Sequence, residues 1–175
     1  MGQLDGKKIL MVIASRGFRD EEYLQPRQLF DQEGASVTVA SSSLDKATGM
    51  LGAEVQPDIL LKDASAADYD AVVFVGGNGA REYWNNPLAL ALAKNANAAG
   101  KVLAAICIAP VILANANLVL AKKVAVFESE KMKLRSKGAT ITGKPVERDG
   151  TLITANGPQA ASQFARTIVE ALVGK

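Results

Sequence analysis

Short apolar runs rich in β-branched residues alternate along this chain with longer segments whose apolar residues recur at helical spacing. The short runs predict buried strands at residues 8–14, 36–40, 71–75, 102–107, 123–127 and 152–155. The longer segments predict helices at residues 20–33, 87–99, 109–115, 128–137 and 160–173. Strands that alternate with helices predict an α/β fold, in which helices cover both faces of a mostly parallel sheet.

Three details refine this prediction. Pro26 falls inside the first predicted helix, so we expect that helix to be kinked or to start late. Asp149-Gly150 is a turn signal between an extended piece at residues 145–148 and the last strand. Two further stretches, residues 50–61 and 140–142, are expected to form short extended pieces.

Composition limits what the chain can be. Its 175 residues suit one domain, residues 1–175, and its net charge of +2 comes from interspersed charges that favour no nucleic-acid surface. The single cysteine excludes a disulfide within the chain, and no apolar run is long enough to span a bilayer. Without a leader pattern at the start, we expect a soluble cytoplasmic protein with no membrane or nucleic-acid partner.

The sequence contains no histidine at all. This chain therefore cannot supply a Ser-His or Cys-His catalytic pair. One cysteine with scattered carboxylates also makes a poor ligand set for catalytic zinc, so we expect no metal and no cofactor.

The cysteine, Cys107, lies where a predicted strand runs directly into a predicted helix. A helix N-terminus favours the thiolate, so this position predicts a reactive cysteine with a pKa below the free value and open to alkylation. The alternative is that Cys107 is a small buried apolar residue, as free cysteines often are.

Two other segments fall where strands are expected to end. VGGNGA at residues 75–80 is a turn whose backbone N–H groups can bind an anion, or an ordinary tight turn. Asp20, Glu21 and Glu22 follow the first strand and open the first helix. Acids there commonly complement the helix dipole, which is our interpretation of Asp20 and Glu21, whereas Glu22 lies four residues before Pro26.

Taken in order, these segments resemble the ThiJ/PfpI superfamily, which includes a parkinsonism-associated deglycase and the intracellular protease I group. The resemblance covers nearly the whole chain, from KILMVIA through EYLQP, the GGN turn and AAICIAP to DGTLITANGP. It implies a flavodoxin-like three-layer sandwich, with Cys107 as the nucleophile and Glu22 as a carboxyl that hydrogen-bonds it. The family's oxyanion donors fall on the backbone N–H groups of Gly77 and Ile108.

Two positions depart from the family pattern. Protease-type members carry a histidine directly after the cysteine, where this chain has Ile108. Deglycase-type members carry a histidine after the next strand, at the position that matches Phe127. The sequence at the cysteine is thus closer to the deglycase branch.

The resemblance implies a cysteine-dependent, cofactor-free glyoxalase or deglycase that acts on methylglyoxal-type α-oxoaldehydes or on their protein adducts. A redox-responsive stress protein or chaperone with an oxidisable cysteine is the alternative, and a cysteine protease or amidase is disfavoured because no histidine can protonate the leaving nitrogen. We also expect a homodimer or larger homo-oligomer, since Phe18, Tyr23 and Leu24 are apolar residues that a small monomer would not easily cover.

Overall fold

A computed structural model describes residues 2–175 of the chain. Within these residues the helices are α1 (Asp20–Gln32), α2 (Pro87–Ala98), α3 (Pro110–Asn115), α4 (Lys131–Ser136) and α5 (Ala161–Leu172). The strands are β1 (Lys8–Val12), β2 (Arg16–Phe18), β3 (Ser36–Ser41), β4 (Ala47–Gly49), β5 (Glu54–Val55), β6 (Ile59–Leu60), β7 (Ala71–Phe74), β8 (Val102–Ile106), β9 (Lys123–Val124), β10 (Thr140–Ile141), β11 (Val146–Asp149) and β12 (Leu152–Ala155).

The central sheet has the strand order β11-β12-β8-β7-β1-β3-β6. Every neighbouring pair in it is parallel except β11 and β12, which form an antiparallel hairpin through the predicted Asp149-Gly150 turn. The mostly parallel α/β sheet predicted from the sequence is therefore confirmed. Parallel strands bring their carboxyl ends to one edge of the sheet, and that edge is where such folds place their sites.

The side chains of β1 alternate between two cores, one on each face of the sheet. Ile9 and Met11 belong to the core that also holds apolar residues of α1 and α5, whereas Leu10 and Val12 belong to the core with α2 and α3. Because successive strand side chains point to opposite faces, a strand covered on both sides must be apolar throughout. Each such side chain contributes about 1.5–3 kcal/mol on burial.

The structure corrects the predicted end of one strand and the predicted start of one helix. The strand predicted at residues 123–127 ends at Val124, after which the Ala125 N–H bonds the hydroxyl of Thr154 at 2.9 Å and the Phe127 N–H bonds the Cys107 carbonyl at 2.9 Å. The chain thus crosses the ends of β8 and β12 instead of continuing beside β10. The helix predicted from residue 128 begins with a 3-10 turn, Glu128–Glu130, before α4.

The first helix also differs from expectation. It begins at Asp20 with Pro26 inside it, so the late start is wrong. Phe18 and Tyr23, expected to need a partner subunit to cover them, are buried within the chain and meet edge to face at 5.9 Å. Leu24 alone of the three is half-exposed.

A small sheet, β2-β4-β5, is fastened to the start of α1. Its strand β5 lies in the stretch 50–61 that was expected to be extended, whereas β2 and β4 were not predicted. The buried Asp20 carboxylate accepts the backbone N–H groups of Leu51 and Ala53, both at 2.8 Å. Asp20 thus holds the β4–β5 hairpin against α1 and is not simply a complement to the helix dipole. No helix among residues 2–175 is long and apolar enough to cross a membrane.

Candidate active site

Cys107 occupies a sharp turn, here called the elbow (residues 107–109), between β8 and α3. Its φ of 66° is left-handed, which costs a residue with a side chain about 1–3 kcal/mol and requires support from its surroundings. The Cys107 N–H donates to the Ala155 carbonyl at 2.9 Å, and the Cys107 carbonyl accepts from Phe127. This strand-turn-helix geometry presents the thiol at the carboxyl edge of the sheet.

Glu22 reaches the elbow from the inner face of α1. The residue has no exposed surface, and neither carboxyl oxygen makes a well-formed hydrogen bond to any residue in 2–175. Gly76 lies between the two side chains, since a Cβ on it would lie 2.6 Å from the Cβ of Cys107 and against Oε1 of Glu22. The structure therefore brings Cys107 and Glu22 together, and only a glycine at position 76 leaves room for their approach.

The second half of the site is the glycine turn, residues 76–79, which follows β7. Its Gly77 has a φ of 102°, and the turn is joined to α1 because the Arg19 N–H donates to the Gly76 carbonyl at 2.9 Å. The backbone N–H groups of Gly77 and Ile108 both act on the Cys107 sulfur and favour its charged form. Both donors named by the resemblance therefore lie close enough to the sulfur to lower the pKa of the Cys107 thiol.

Burial nevertheless dominates the ionisation of this pair. Removal from water raises the pKa of the Cys107 thiol to about 12, and the Glu22 charge adds to this effect. The expectation of a lowered cysteine pKa is therefore wrong: α3 has only six residues, and its short dipole does not offset a site that is 7% exposed.

Glu22 titrates before the thiol does. Burial raises its pKa to about 8, although the nearby thiol and the Gly76 N–H oppose the shift. At neutral pH Glu22 is mostly protonated, so it can donate a hydrogen bond, and its minor carboxylate form can accept a proton.

The other acids of the cluster face elsewhere. Glu21 points outward and pairs with the Arg19 guanidinium through two bonds of 3.0 Å. That pairing lowers the pKa of Glu21, so the two adjacent glutamates titrate in opposite directions from their ordinary value. Among the residues that the structure describes, no group of three or more acidic, cysteine or histidine side chains is placed to hold a metal ion.

A pocket of about 340 Å³ opens beside the elbow, at the same edge of the sheet. Phe127, which is 40% exposed, lines it together with Lys131, Lys144 and Asn156. Asn156 follows Ala155, whose register partner on β8 is Ile106, so the pocket begins one strand away from Cys107. At the position where the family's deglycases carry histidine, the pocket wall is an apolar ring.

One residue at the site gave no signal in the sequence. Trp84 follows the glycine turn, and its indole N–H donates to the Ile108 carbonyl at 3.1 Å. A single tryptophan in a turn forms no periodic pattern, and its partner is a backbone atom 24 residues away. Only the folded chain shows this contact.

Comparison with known proteins places these features in a family. The DJ-1/PfpI family matches residues 7–171. A glutathione-independent glyoxalase, DJR-1.2 of Caenorhabditis elegans, is 28% identical over 168 residues, covering 96% of this chain and 90% of the relative. A deglycase of Thermococcus kodakarensis is 28% identical over 163 residues, covering 93% of this chain and 98% of the relative.

The fold agrees with solved structures of this group. The crystal structure of a ThiJ/PfpI domain protein from Brachyspira murdochii superposes with a TM-score of 0.92 at 33% identity, covering 94% of this chain and 95% of that one. The expected flavodoxin-like sandwich and the likeness to the deglycase branch are both confirmed.

Proposed function

Because this chain belongs to the DJ-1/PfpI family, we propose that it is a cysteine-dependent, cofactor-free enzyme acting on methylglyoxal-type α-oxoaldehydes or their protein adducts. One observation carries the proposal: a thiol, a carboxyl that titrates near neutrality and two backbone N–H donors meet at one buried elbow. The names of the glyoxalase and deglycase relatives support this reaction class.

The first step is addition of the Cys107 sulfur to the aldehyde carbon. The thiol holds its proton strongly, so the carboxylate form of Glu22 takes that proton as the carbon–sulfur bond forms. The aldehyde oxygen becomes negative beside the N–H groups of Gly77 and Ile108, which stabilise it. Glu22 then returns the proton to that oxygen, and the product is a hemithioacetal.

The second step is a proton transfer between the two substrate carbons. The Glu22 carboxylate removes the proton from the carbon that bears sulfur, giving an enediolate, and delivers it to the neighbouring carbon, while the hydroxyl proton of the hemithioacetal moves to the neighbouring oxygen. The product is a lactyl thioester of Cys107, which one water molecule hydrolyses to lactate and free thiol. These reaction steps need one carboxyl and no histidine, and the chain contains no histidine.

Lactate formation from methylglyoxal in the absence of glutathione tests the proposal. Wild-type protein should form lactate, and Cys107→Ser should not, because a serine hydroxyl is a far weaker nucleophile than a thiolate. Glycated peptides offered as a second substrate separate the glyoxalase reaction from release of protein adducts. Equal lactate yield from wild type and Cys107→Ser would exclude Cys107 as the nucleophile.

A redox role is the second candidate, and the unpaired Glu22 carboxyl favours it. A protonated carboxyl without a hydrogen-bond partner, next to two backbone N–H groups, can stabilise a cysteine sulfinate. Intact mass after graded hydrogen peroxide tests this role, with a gain of two oxygens expected on Cys107 alone. Resistance of Cys107 to peroxide, with methionines oxidised first, would remove this candidate.

We further propose that the protein associates with a second copy of itself. Leu24, Met50 and Leu51 are exposed apolar residues, and the last two are held beside the start of α1, because the Met50 N–H donates to the Phe18 carbonyl at 2.8 Å and Asp20 holds Leu51. Light scattering should give a mass of twice 18.4 kDa or more at micromolar concentration. A Leu51→Asp variant should shift the mass toward one chain, and a wild type of one-chain mass would contradict the proposal.

A further inference from the structure

Trp84 links the two backbone segments that supply the donors of the proposed active site. It stands directly after the 3-10 turn Asn78–Tyr83, which continues the glycine turn, and its indole N–H donates to the Ile108 carbonyl at 3.1 Å. The Trp84 carbonyl in turn accepts from the side chain of Asn115, in the last turn of α3, at 2.7 Å. Trp84 therefore connects the glycine turn, which carries Gly77, to both ends of the segment that runs from the elbow to the last turn of α3.

The ring of Trp84 is itself fixed in place. The Lys133 ammonium lies 3.9 Å from the ring centroid and the Arg81 guanidinium lies 5.4 Å from it. Lys133 is held by the largely buried Glu130 at 2.9 Å. Trp84 also packs against the cores on both faces of the sheet. A side chain held on so many sides can define the position of the group it bonds.

The elbow needs such support because its backbone is strained at Cys107. Its other hydrogen bonds run between main-chain atoms: the Cys107 N–H to Ala155, the Cys107 carbonyl to Phe127, and the Ala109 N–H to Ile106 at 3.1 Å. The bond from Trp84 comes instead from a side chain. The Ile108 carbonyl also accepts the Val111 N–H, but at a longer 3.3 Å.

We propose that Trp84 is a positioning residue, whose indole N–H sets the orientation of the Ile108 backbone so that the Ile108 and Gly77 N–H groups converge on the Cys107 sulfur. It acts through these backbone groups and touches no reacting atom. The inference rests on the proposed function for its effect on turnover, but its effect on the reactivity of the thiol is independent of turnover.

Trp84→Phe is the sharpest test, because phenylalanine keeps an aromatic ring between the two cations and removes only the N–H and part of the ring. The rate of iodoacetamide alkylation of Cys107, followed from pH 6 to pH 10, should fall by about threefold to tenfold, the range for loss of one hydrogen bond. If wild type turns over methylglyoxal, kcat should fall by a similar factor while KM stays constant.

Lys133→Met is the matched control, since it removes a cation from the ring and leaves the indole N–H in place. Its alkylation rate should stay closer to wild type than that of Trp84→Phe, because the indole N–H and the packing of the ring against both cores remain. Absence of lactate from wild type as well as from the variants would remove the proposed function while leaving the alkylation comparison intact.

A Trp84→Phe protein with a wild-type alkylation rate and pH profile would overturn the inference. If its melting temperature were also lower, Trp84 would be a packing residue only. If Trp84→Phe does not fold, Asn115→Ala carries the test, because it frees the Trp84 carbonyl and should slow alkylation in the same direction; an unchanged rate would again overturn the inference.

Discussion

Two adjacent glutamates lie on the inner and outer faces of the first turn of α1, and they differ in burial and in the direction of their pKa shifts. Glu22, on the inner face, is completely buried, has no well-formed hydrogen bond within residues 2–175 and has a pKa raised to about 8. Glu21, on the outer face, is about one-third exposed, pairs with Arg19 and has a lowered pKa. One step along a helix turns a side chain by about 100°, which is enough to move a carboxyl from solvent into the core.

The difference shows that burial, and not the local charge pattern, decides which acid can exchange protons near neutral pH. Arg19 lies near both carboxyls and lowers the pKa of both. Its effect prevails at Glu21, where solvent already stabilises the charge, whereas desolvation prevails at Glu22. The same physics raises the pKa of Cys107, so the proposed reaction starts with proton transfer within a buried pair and not with a preformed thiolate.

The largest effect on turnover should come from removing the titratable proton of Glu22, on the inner face of α1. Glu22→Gln keeps a neutral hydrogen-bond donor of the same shape but cannot act as a base. Turnover of methylglyoxal should therefore fall by about 10²–10⁴-fold, the usual loss for a positioned acid/base group. The rate of lactate release from both proteins at pH 8, under saturating substrate, measures this. A loss below threefold would mean that Glu22 is not the base.

The unfolding free energies of wild type and Glu22→Gln should also diverge as pH changes. The folded-state pKa of Glu22 is above its ordinary value, so this residue weakens folding as pH rises from about 4.5 toward 8, where the folded carboxyl ionises. Over that window wild type should lose about 1.4 kcal/mol of unfolding free energy per pH unit relative to Glu22→Gln. Urea unfolding at pH 5, 6.5 and 8 measures the divergence. Parallel curves across this range would mean that the carboxyl ionises normally in the folded protein.

The sequence predicted much of this arrangement, because helical register and strand ends follow periodic patterns. The alternation of apolar runs with helical segments was enough for the α/β sheet, whereas the pairing of Glu22 with Cys107 was implied by the resemblance to the ThiJ/PfpI superfamily. The junction of an apolar strand with a helix located Cys107 at the sheet edge. Each of these signals lies within a short stretch of sequence, so each can be recognised without the three-dimensional structure.

What the sequence did not predict depends on distant backbone atoms or on the degree of burial. The partners of Asp20 are N–H groups of Leu51 and Ala53, more than 30 residues away, and any residue type could supply them. The pKa of Cys107 was predicted in the wrong direction because solvent exclusion at the elbow comes from elements throughout the chain. The strand predicted at residues 123–127 was too long because an apolar run does not reveal where strand pairing ends.

A smaller effect is expected at Asp20, which is also buried but serves the β4–β5 hairpin. Asp20→Asn keeps one acceptor and turns the other into a donor that faces a backbone N–H. Since hydrogen bonds to a charged acceptor contribute about 1.5–3 kcal/mol each, the variant should lose about that much stability. Urea unfolding at pH 7 measures it, with Asp31→Asn as the control, because Asp31 forms only an exposed pair with Arg27. Equal losses in the two variants would contradict the role of Asp20.

The smallest effect should follow from removing the charge on the outer face. Glu21→Gln breaks a surface pair with Arg19, which is worth less than about 1 kcal/mol. The Glu21 charge also raises the pKa of Glu22, so without it the carboxyl on the inner face should ionise at slightly lower pH. Turnover at pH 8 should stay within about twofold of wild type, while the rise of activity with pH begins at slightly lower pH. A full pH–rate profile of both proteins resolves such a shift. A tenfold loss in Glu21→Gln, with Glu22→Gln still active, would reverse the assignment of the two faces and make the paired, exposed carboxyl the base.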